Sequence, residues 1–328
     1  MEYAIKYYTP EKKGEWDGFI YKNGMNGTFL QSRHFLEYHG EEKFRDCSLM
    51  VYKGNALIAV VPACELQDSG EKVFFSHKGS TYGGIMICKN IYTATSMDRL
   101  FSSLEEFFRQ EGFQRIYMKK TPSIYEKEDT TLMDYFFYKY GYVCYSELNY
   151  YMHLERYQDD IAKQFTGSKR RDFRYSLKEG MEFRELTAPE EIEDFYRVLQ
   201  LNLKKLGLNA VHSYEDLLEL KFQRFPEKIL FYGVYKDDVM VAGSMIFLIL
   251  EDVFHTQYLS SDERYLKSFP MDFLIYHLIE QAVERRMRLF TFGICTEDQG
   301  RYLNLGLSRF KEGFGTEYAV NRSYEKKL

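Results

Sequence analysis

The hydrophobic pattern of this chain occurs twice. "VYKGNALIAVVPA", from Val51, sets the polar pair Gly54-Asn55 between two apolar runs. "VYKDDVMVAGSMI", from Val234, does the same around Asp237-Asp238. An apolar run, a two-residue polar turn and a second apolar run predict a β-hairpin. The segments after the hairpins also correspond. The first hairpin is followed by a strand from Val73 to Ser76, a helical stretch from about Tyr92 to Arg109 and the short strand "FQRIYM" from Phe113. The second is followed by the strand "VFHTQYLSS" from Val253, the helix "PMDFLIYHLIEQAVERRM" from Pro270 and the strand "RLFTFG" from Arg288. Each half then predicts another helix, a Gly-aromatic turn ("YGY" at Tyr140, "GFG" at Gly313) and a closing strand.

The helix from Pro270 carries the clearest period. Leu274 and Leu278 stand four apart, as do Ile275 and Ile279, and Ala282 and Val283 extend the apolar face. Glu284, Arg285 and Arg286 end it in solvent, and Pro270 suits its first turn. The predicted fold is therefore α/β with an α+β mixed sheet. Two tandem domains, each a mixed, mostly antiparallel sheet flanked by helices, account for the 328 residues. The expected boundary lies near 155, giving domains 1–155 and 156–328, with the chemistry expected in the second.

Composition narrows the class. The chain is 45% hydrophobic and 28% charged, as soluble globular domains are. The net charge of -5 and a pI near 5.9 argue against a DNA-binding protein. Five scattered cysteines with no Cys-x-x-Cys pair predict free thiols in a reducing, cytoplasmic setting rather than a disulfide framework or a zinc site. The longest apolar run, "VMVAGSMIFLIL" from Val239, is too short to span a bilayer. No His-x-x-x-His, nucleophile elbow or P-loop occurs, so no metal site is expected.

One glycine-rich stretch, "FSHKGSTYGG" from Phe75, follows a predicted strand as phosphate loops do. A phosphate loop runs directly into a helix, however, and here the apolar "IMICKN" intervenes. Gly79, Gly83 and Gly84 are expected to shape a tight connection. His77, Thr81 and Tyr82 project from it as candidates for binding an acceptor.

The order of these elements resembles the GNAT acetyltransferase superfamily, and the tandem form is similar to FemAB-type aminoacyltransferases. The resemblance rests on "TFLQSRHFLEYH" from Thr28, "SHKGSTYGG" from Ser76, "SKRRDFRYSLKEGMEFREL" from Ser168 and "FTFGICTEDQGRYLNLGLSRFKEGFG" ending at Gly315. It spans nearly the whole chain. It implies transfer of an acyl or aminoacyl group to an amine on a cell-envelope precursor or similar small acceptor, in a bacterial cytoplasm. No tightly bound cofactor is implied; acyl-CoA or aminoacyl-tRNA would be the co-substrate, with tRNA as a partner. Two departures bear on the donor. The turn "SSDERYLKSFPMDFL" before the long helix lacks the glycines of a coenzyme A loop, and no coiled-coil insertion is present. A binding protein that kept the fold without the activity is the alternative from another class.

The resemblance makes Lys311, in "RFKEGFG", a donor-site residue similar in role to an oxyanion stabiliser. It favours Tyr258, near the C-terminal end of its strand, as a catalytic residue. Tyr258 and His255 lie three apart, which on a regular strand turns them to opposite faces. Glu297 could act as general base, or the Glu297-Asp298 pair could cap the following helix. Lys169, Arg170 and Arg174 open a basic helix in which Arg170, Arg174 and Lys178 share a face. That face would hold a phosphorylated substrate, or serve only as a solvated surface.

Overall fold

The computed structural model describes residues 3–40, 43–205 and 207–328. The chain forms two compact units, one of Met1–Glu147, Asp298–Arg301 and Val320–Leu328, the other of Leu148–Glu297 and Tyr302–Ala319. This differs from a linear division near 155. Asn149–His153, at the end of the first half of the sequence, pair with a strand of the second unit, whereas Ser323–Lys327, at the end of the second half, pair with a strand of the first.

The first unit holds strands β1 (Ala4–Tyr7), β2 (Arg45–Asp46), β3 (Leu49–Lys53), β4 (Ala56–Val61), β5 (Cys64–Asp68), β6 (Glu71–Ser76), β7 (Met86–Ile87) and β8 (Arg115–Lys119). Its helices are α1 (Lys13–Gly18), α2 (Arg33–Leu36), α3 (Ala94–Gln110) and α4 (Thr131–Lys139). The predicted hairpin is β3–β4, and Gly54 at its turn has φ 60°. It lies in a four-stranded antiparallel sheet ordered β1-β3-β4-β7. The chain leaves that sheet at Pro62, which has no N–H to continue the ladder. The next strand, β5, pairs with β6, and β6 runs parallel to β8. Alternation then sets the faces. Phe74, Ile116 and Met118 bury with Leu100, Leu104 and Phe108 of α3, while Phe75, Tyr117 and Lys119 take the other side.

The second unit is built on one sheet. Its strands are the C-terminal part of β9 (Val143–His153), then β10 (Glu182–Glu185), β11 (Ile229–Lys236), β12 (Val239–Ile249), β13 (Val253–Ser261) and β14 (Leu289–Ile294). They order as β10-β11-β12-β13-β14-β9, antiparallel except for β13 and β14. The β11–β12 turn has φ 50° at Asp237 and 59° at Asp238, a two-residue turn whose twist matches its strands. Helices α5 (Gly167–Ser176), α6 (Pro189–Lys205), α7 (Tyr214–Leu218), α8 (Pro270–Glu284) and α9 (Leu305–Glu312) follow the sequence, with the short hairpin β15 (Thr296–Glu297) and β16 (Tyr302–Leu303) before α9. The closing strand is β17 (Glu317–Lys327). Leu274, Ile275, Leu278, Ile279 and Ala282 of α8 bury in one core with Phe254 and Phe290, as their spacing predicts.

Candidate functional site

Strands β13 and β14 pair only from Val253↔Leu289 to His255↔Thr291. Beyond that point the parallel ladder ends, and each strand carries a bulge. On β13, Tyr258 pairs with Met245 and Thr256 with Ile246, so Gln257 is the extra residue. On β14, Thr291 pairs with Tyr151 and Gly293 with Tyr150, so Phe292 is extra. A bulge re-aims the side chains beyond it. His255 faces Phe247 and Tyr258 faces Met245, two residues apart on β12. The bulge therefore puts His255 and Tyr258 on the same face, not the opposite faces that a regular strand would give.

His255 is buried, and its Nδ1 shares a 2.7 Å hydrogen bond with the Thr291 hydroxyl. Burial, reinforced by the Lys311 charge, pushes its pKa down to about 3. The imidazole is neutral at physiological pH. The Tyr258 hydroxyl shares a 2.7 Å hydrogen bond with Nδ1 of His212, and burial raises its pKa to about 12. His212 comes from the segment before α7, where a capping box of Ser213 and Asp216 fixes the helix start. That box is legible in the sequence and marks His212 as the residue before a helix cap; its partner is not.

Lys311 lies on α9, 3% exposed. Its ammonium donates to the carbonyls of Phe292 at 3.0 Å, Gly293 at 3.1 Å and Ile294 at 2.8 Å. An ammonium has three N–H donors, and these carbonyls engage all three. The geometry gives Lys311 the job of stapling the bulged end of β14, not the free donor that an oxyanion stabiliser requires. Burial lowers its pKa to about 8. The Tyr150 ring lies 5.6 Å from Nζ, and its hydroxyl shares a 2.7 Å bond with Ser308, which donates to Glu312 at 2.9 Å.

The turn after Lys311 requires glycine at 315. Gly315 has φ 82°, and a Cβ there would come within 2.5 Å of the Gln164 carbonyl. The Tyr157 hydroxyl donates to the carbonyls of Phe314 and Gly315 at 2.8 and 3.1 Å, fixing the turn.

The other residues singled out in the sequence have these positions. Glu297 is exposed on β15, opposite Tyr302, and the cap of α9 is Asn304, whose Oδ1 accepts from Leu307 N–H. Among the described residues no hydrogen bond ties Glu297 to His255, Tyr258 or Lys311. Lys169 pairs with the buried Asp272 in the first turn of α8 at 2.8 Å and lies 4.4 Å from the Phe310 ring centre. Arg170 folds back on its own chain. Its guanidinium donates to the carbonyls of Ala162, Lys163 and Phe165, so it leaves the basic face it was expected to share with Arg174. Arg174 is exposed.

The glycine-rich stretch of the first unit is a connection. Gly83 N–H donates to the Lys119 carbonyl at 2.8 Å, and Gly84 N–H to the Ser76 hydroxyl at 2.8 Å. His77 is buried, accepts from Gly79 N–H at 3.0 Å and is pushed down to about 4 by burial. Tyr82 is buried and shares a 3.2 Å bond with the Thr28 hydroxyl, while Thr81 is exposed. Neither His77 nor Tyr82 projects into solvent. The first unit does have a cavity of about 480 Å³ on its open sheet face. Phe75 and Tyr117 stack there at 4.8 Å beside Lys119, which burial shifts toward its neutral form.

These parting strands and the stapled turn coincide with a family match. Residues 163–312 match the acetyltransferase (GNAT) domain model. Residues 163–312 are an acetyltransferase (GNAT) domain. The chain's solved structural neighbours extend the likeness to the full length at the level of fold. FemX superimposes with a TM-score of 0.72 at 12% identity, over 99% of this chain and 97% of that one. The C-terminal domain of a putative lysylphosphatidylglycerol synthetase from Agrobacterium fabrum gives 0.63 at 11% identity, over 97% and 92%. A tandem GNAT protein from the clavulanic acid biosynthesis pathway gives 0.57 at 10% identity, over 99% and 98%. No curated protein sequence matches the chain. The GNAT match covers α5 to α9, the elements that position Tyr258, His255 and Lys311.

Proposed function

We propose that the second unit transfers an acyl or aminoacyl group to an amine where β13 and β14 part. The supporting observation is the pair of bulges. One brings Tyr258 to the face of His255, and the other presents a strand end held by Lys311. In direct transfer the acceptor nitrogen attacks the donor carbonyl, the C–N bond forms, and the C–S or C–O bond to the donor breaks. The proton leaving the amine ends on the released thiolate or ribose oxygen. The Tyr258 hydroxyl, held by His212, is suited to pass that proton. Lys311 acts as a positioning residue.

The donor is an acyl thioester or an aminoacyl-tRNA. The N-terminus of α8 bears on the choice. A helix N-terminus favours an anion, and in this helix Asp272 already supplies one, countered by Lys169. That pair weighs against pyrophosphate docking there and favours the aminoacyl-tRNA. The acceptor is an amine of a cell-envelope precursor or a similar small molecule. A bacterial cytoplasm fits both donors and the five free thiols.

The test incubates purified protein with labelled acyl-CoAs and, separately, with aminoacyl-tRNAs, each against amino-sugar and peptide precursors. Mass spectrometry reads the product. Transfer from one donor class, reduced in Tyr258→Phe, supports the reading. Absence of transfer from every donor would leave a fold retained for binding alone.

A further inference from the structure

The outer face of α5 combines two kinds of exposed side chain. Arg171, Arg174, Tyr175 and Lys178 follow one another at helical spacing, with the last turn continued by the Lys178 N–H donating to the Tyr175 carbonyl. All four are exposed. Arg171 reaches only the adjacent Asp172, at 3.6 Å, and Arg174 and Lys178 form no ion pair among the described residues. Leu177 beside them is 55% exposed and Tyr175 50%.

A second element of the same unit completes the surface. The helical turn Glu263–Ser268 presents Leu266, 51% exposed, and the exposed Lys267. The two elements are tied together. Tyr175 stacks on Phe269 with ring centres 6.3 Å apart. Glu179 accepts from the Ser268 hydroxyl at 2.8 Å and from Lys236 at 2.6 Å. The acidic neighbours are engaged: Glu179 by those two groups, Asp262 by Arg264 and Glu263 by Lys205. Cations are therefore concentrated on one rigid face of a chain whose net charge is -5.

We propose that this face docks on an anionic lipid bilayer. Lys and Arg beside exposed Leu and Tyr suit the headgroup boundary, where the cations meet lipid phosphates and the apolar groups leave water. A nucleic-acid backbone would engage the cations but give Leu177 and Leu266 nothing to bury against. The proposed attachment is peripheral and reversible; the described residues contain no helix long and apolar enough to cross a membrane. The inference does not depend on the acyl donor or acceptor.

Vesicle co-sedimentation of the full chain tests it. The probes are phosphatidylcholine alone and phosphatidylcholine with about one-third phosphatidylglycerol, at about 0.1 M salt. The protein should bind the anionic vesicles and not the neutral ones. Reversing three charges together (Arg171→Glu, Arg174→Glu, Lys178→Glu) should weaken binding about 100-fold, at roughly fivefold or more per charge. Leu177→Ser with Leu266→Ser should weaken it about tenfold and leave the salt dependence unchanged. All five positions are exposed, so unfolding temperatures should stay near the parent value, which separates lost docking from lost folding. Equal binding to neutral vesicles, no binding to anionic ones, or full binding by either variant would overturn the proposal. So would binding to transfer RNA but not to vesicles, abolished by the same charge reversals.

Discussion

Among the described residues each unit contains one parallel strand pair, and the two pairs end differently. In the first unit β6 and β8 stay in register through Ser76↔Met118. There the chain closes its own gap: Gly83 and Gly84 donate to Lys119 and Ser76, and the Ser76 hydroxyl also accepts from Lys119 N–H at 3.1 Å. In the second unit β13 and β14 lose register after His255↔Thr291 and bulge on both arms, and a buried ammonium holds the end of β14. One topology thus gives two outcomes. Where main chain fills the divergence, its hydrogen bonds are spent on structure. Where a lysine holds the strand end, His255 and Tyr258 of the other arm share one face. The proposed chemistry is accordingly placed in the second unit, which carries the GNAT match.

The sharpest way to break this comparison is to remove the staple. Lys311→Met removes one ammonium donor from three carbonyls, of which only that of Phe292 lies in a buried contact, and should cost about 2–4 kcal/mol, read by denaturant unfolding. A loss under about 1 kcal/mol would show that β14 holds its bulge unaided. Next in size is the contrast between tyrosines. Tyr258→Phe should lower the turnover of whichever transfer reaction is found about 100-fold, whereas Tyr82→Phe should change it less than twofold. Comparable losses would place chemistry in both units. The main-chain closure of the first unit should be the smaller structural term. Ser76→Ala removes an acceptor for one buried and one part-buried N–H group and should cost about 1–2 kcal/mol with turnover unchanged.

Much of the fold was legible because its signals are local. The turns Gly54-Asn55 and Asp237-Asp238, the period of α8 and the glycine at 315 each specify structure within a few residues. The exchange of closing strands was not, since β9 and β17 carry ordinary strand patterns that do not name their partners. The bulges were invisible for a related reason. Nothing in "VFHTQYLSS" marks Gln257 as the extra residue, and that one residue decides which face Tyr258 takes. The motif containing Lys311 located the residue, but its role depends on carbonyls 17 to 19 positions away in the sequence. Arg170 shows the converse. Its helical spacing placed it on an outer face, yet a long side chain can turn back to nearby carbonyls that need donors.

Titration offers the finest comparison, because each unit buries a histidine that burial holds neutral near the end of its parallel strand pair, and in the second the Lys311 charge adds to that effect. His77 and His255 have folded pKa values of about 4 and about 3, below the ordinary 6.5. Between the folded and ordinary values the unfolded chain binds a proton that the folded chain refuses. Each histidine therefore makes stability fall as pH drops below 6.5, and His77→Asn and His255→Asn should each flatten that acid limb of the unfolding temperature. On the alkaline side the sign follows from Lys311, whose folded pKa of about 8 lies below its ordinary 10.5. From pH 8 to 10.5 the unfolded chain keeps a proton that the folded chain has released, so this residue makes stability rise with pH. The gap in unfolding temperature between the parent protein and Lys311→Met should widen over that window. A gap that stays constant from pH 7 to 10 would mean that the three carbonyls hold Lys311 charged, and that the staple of the second unit is a permanent cation.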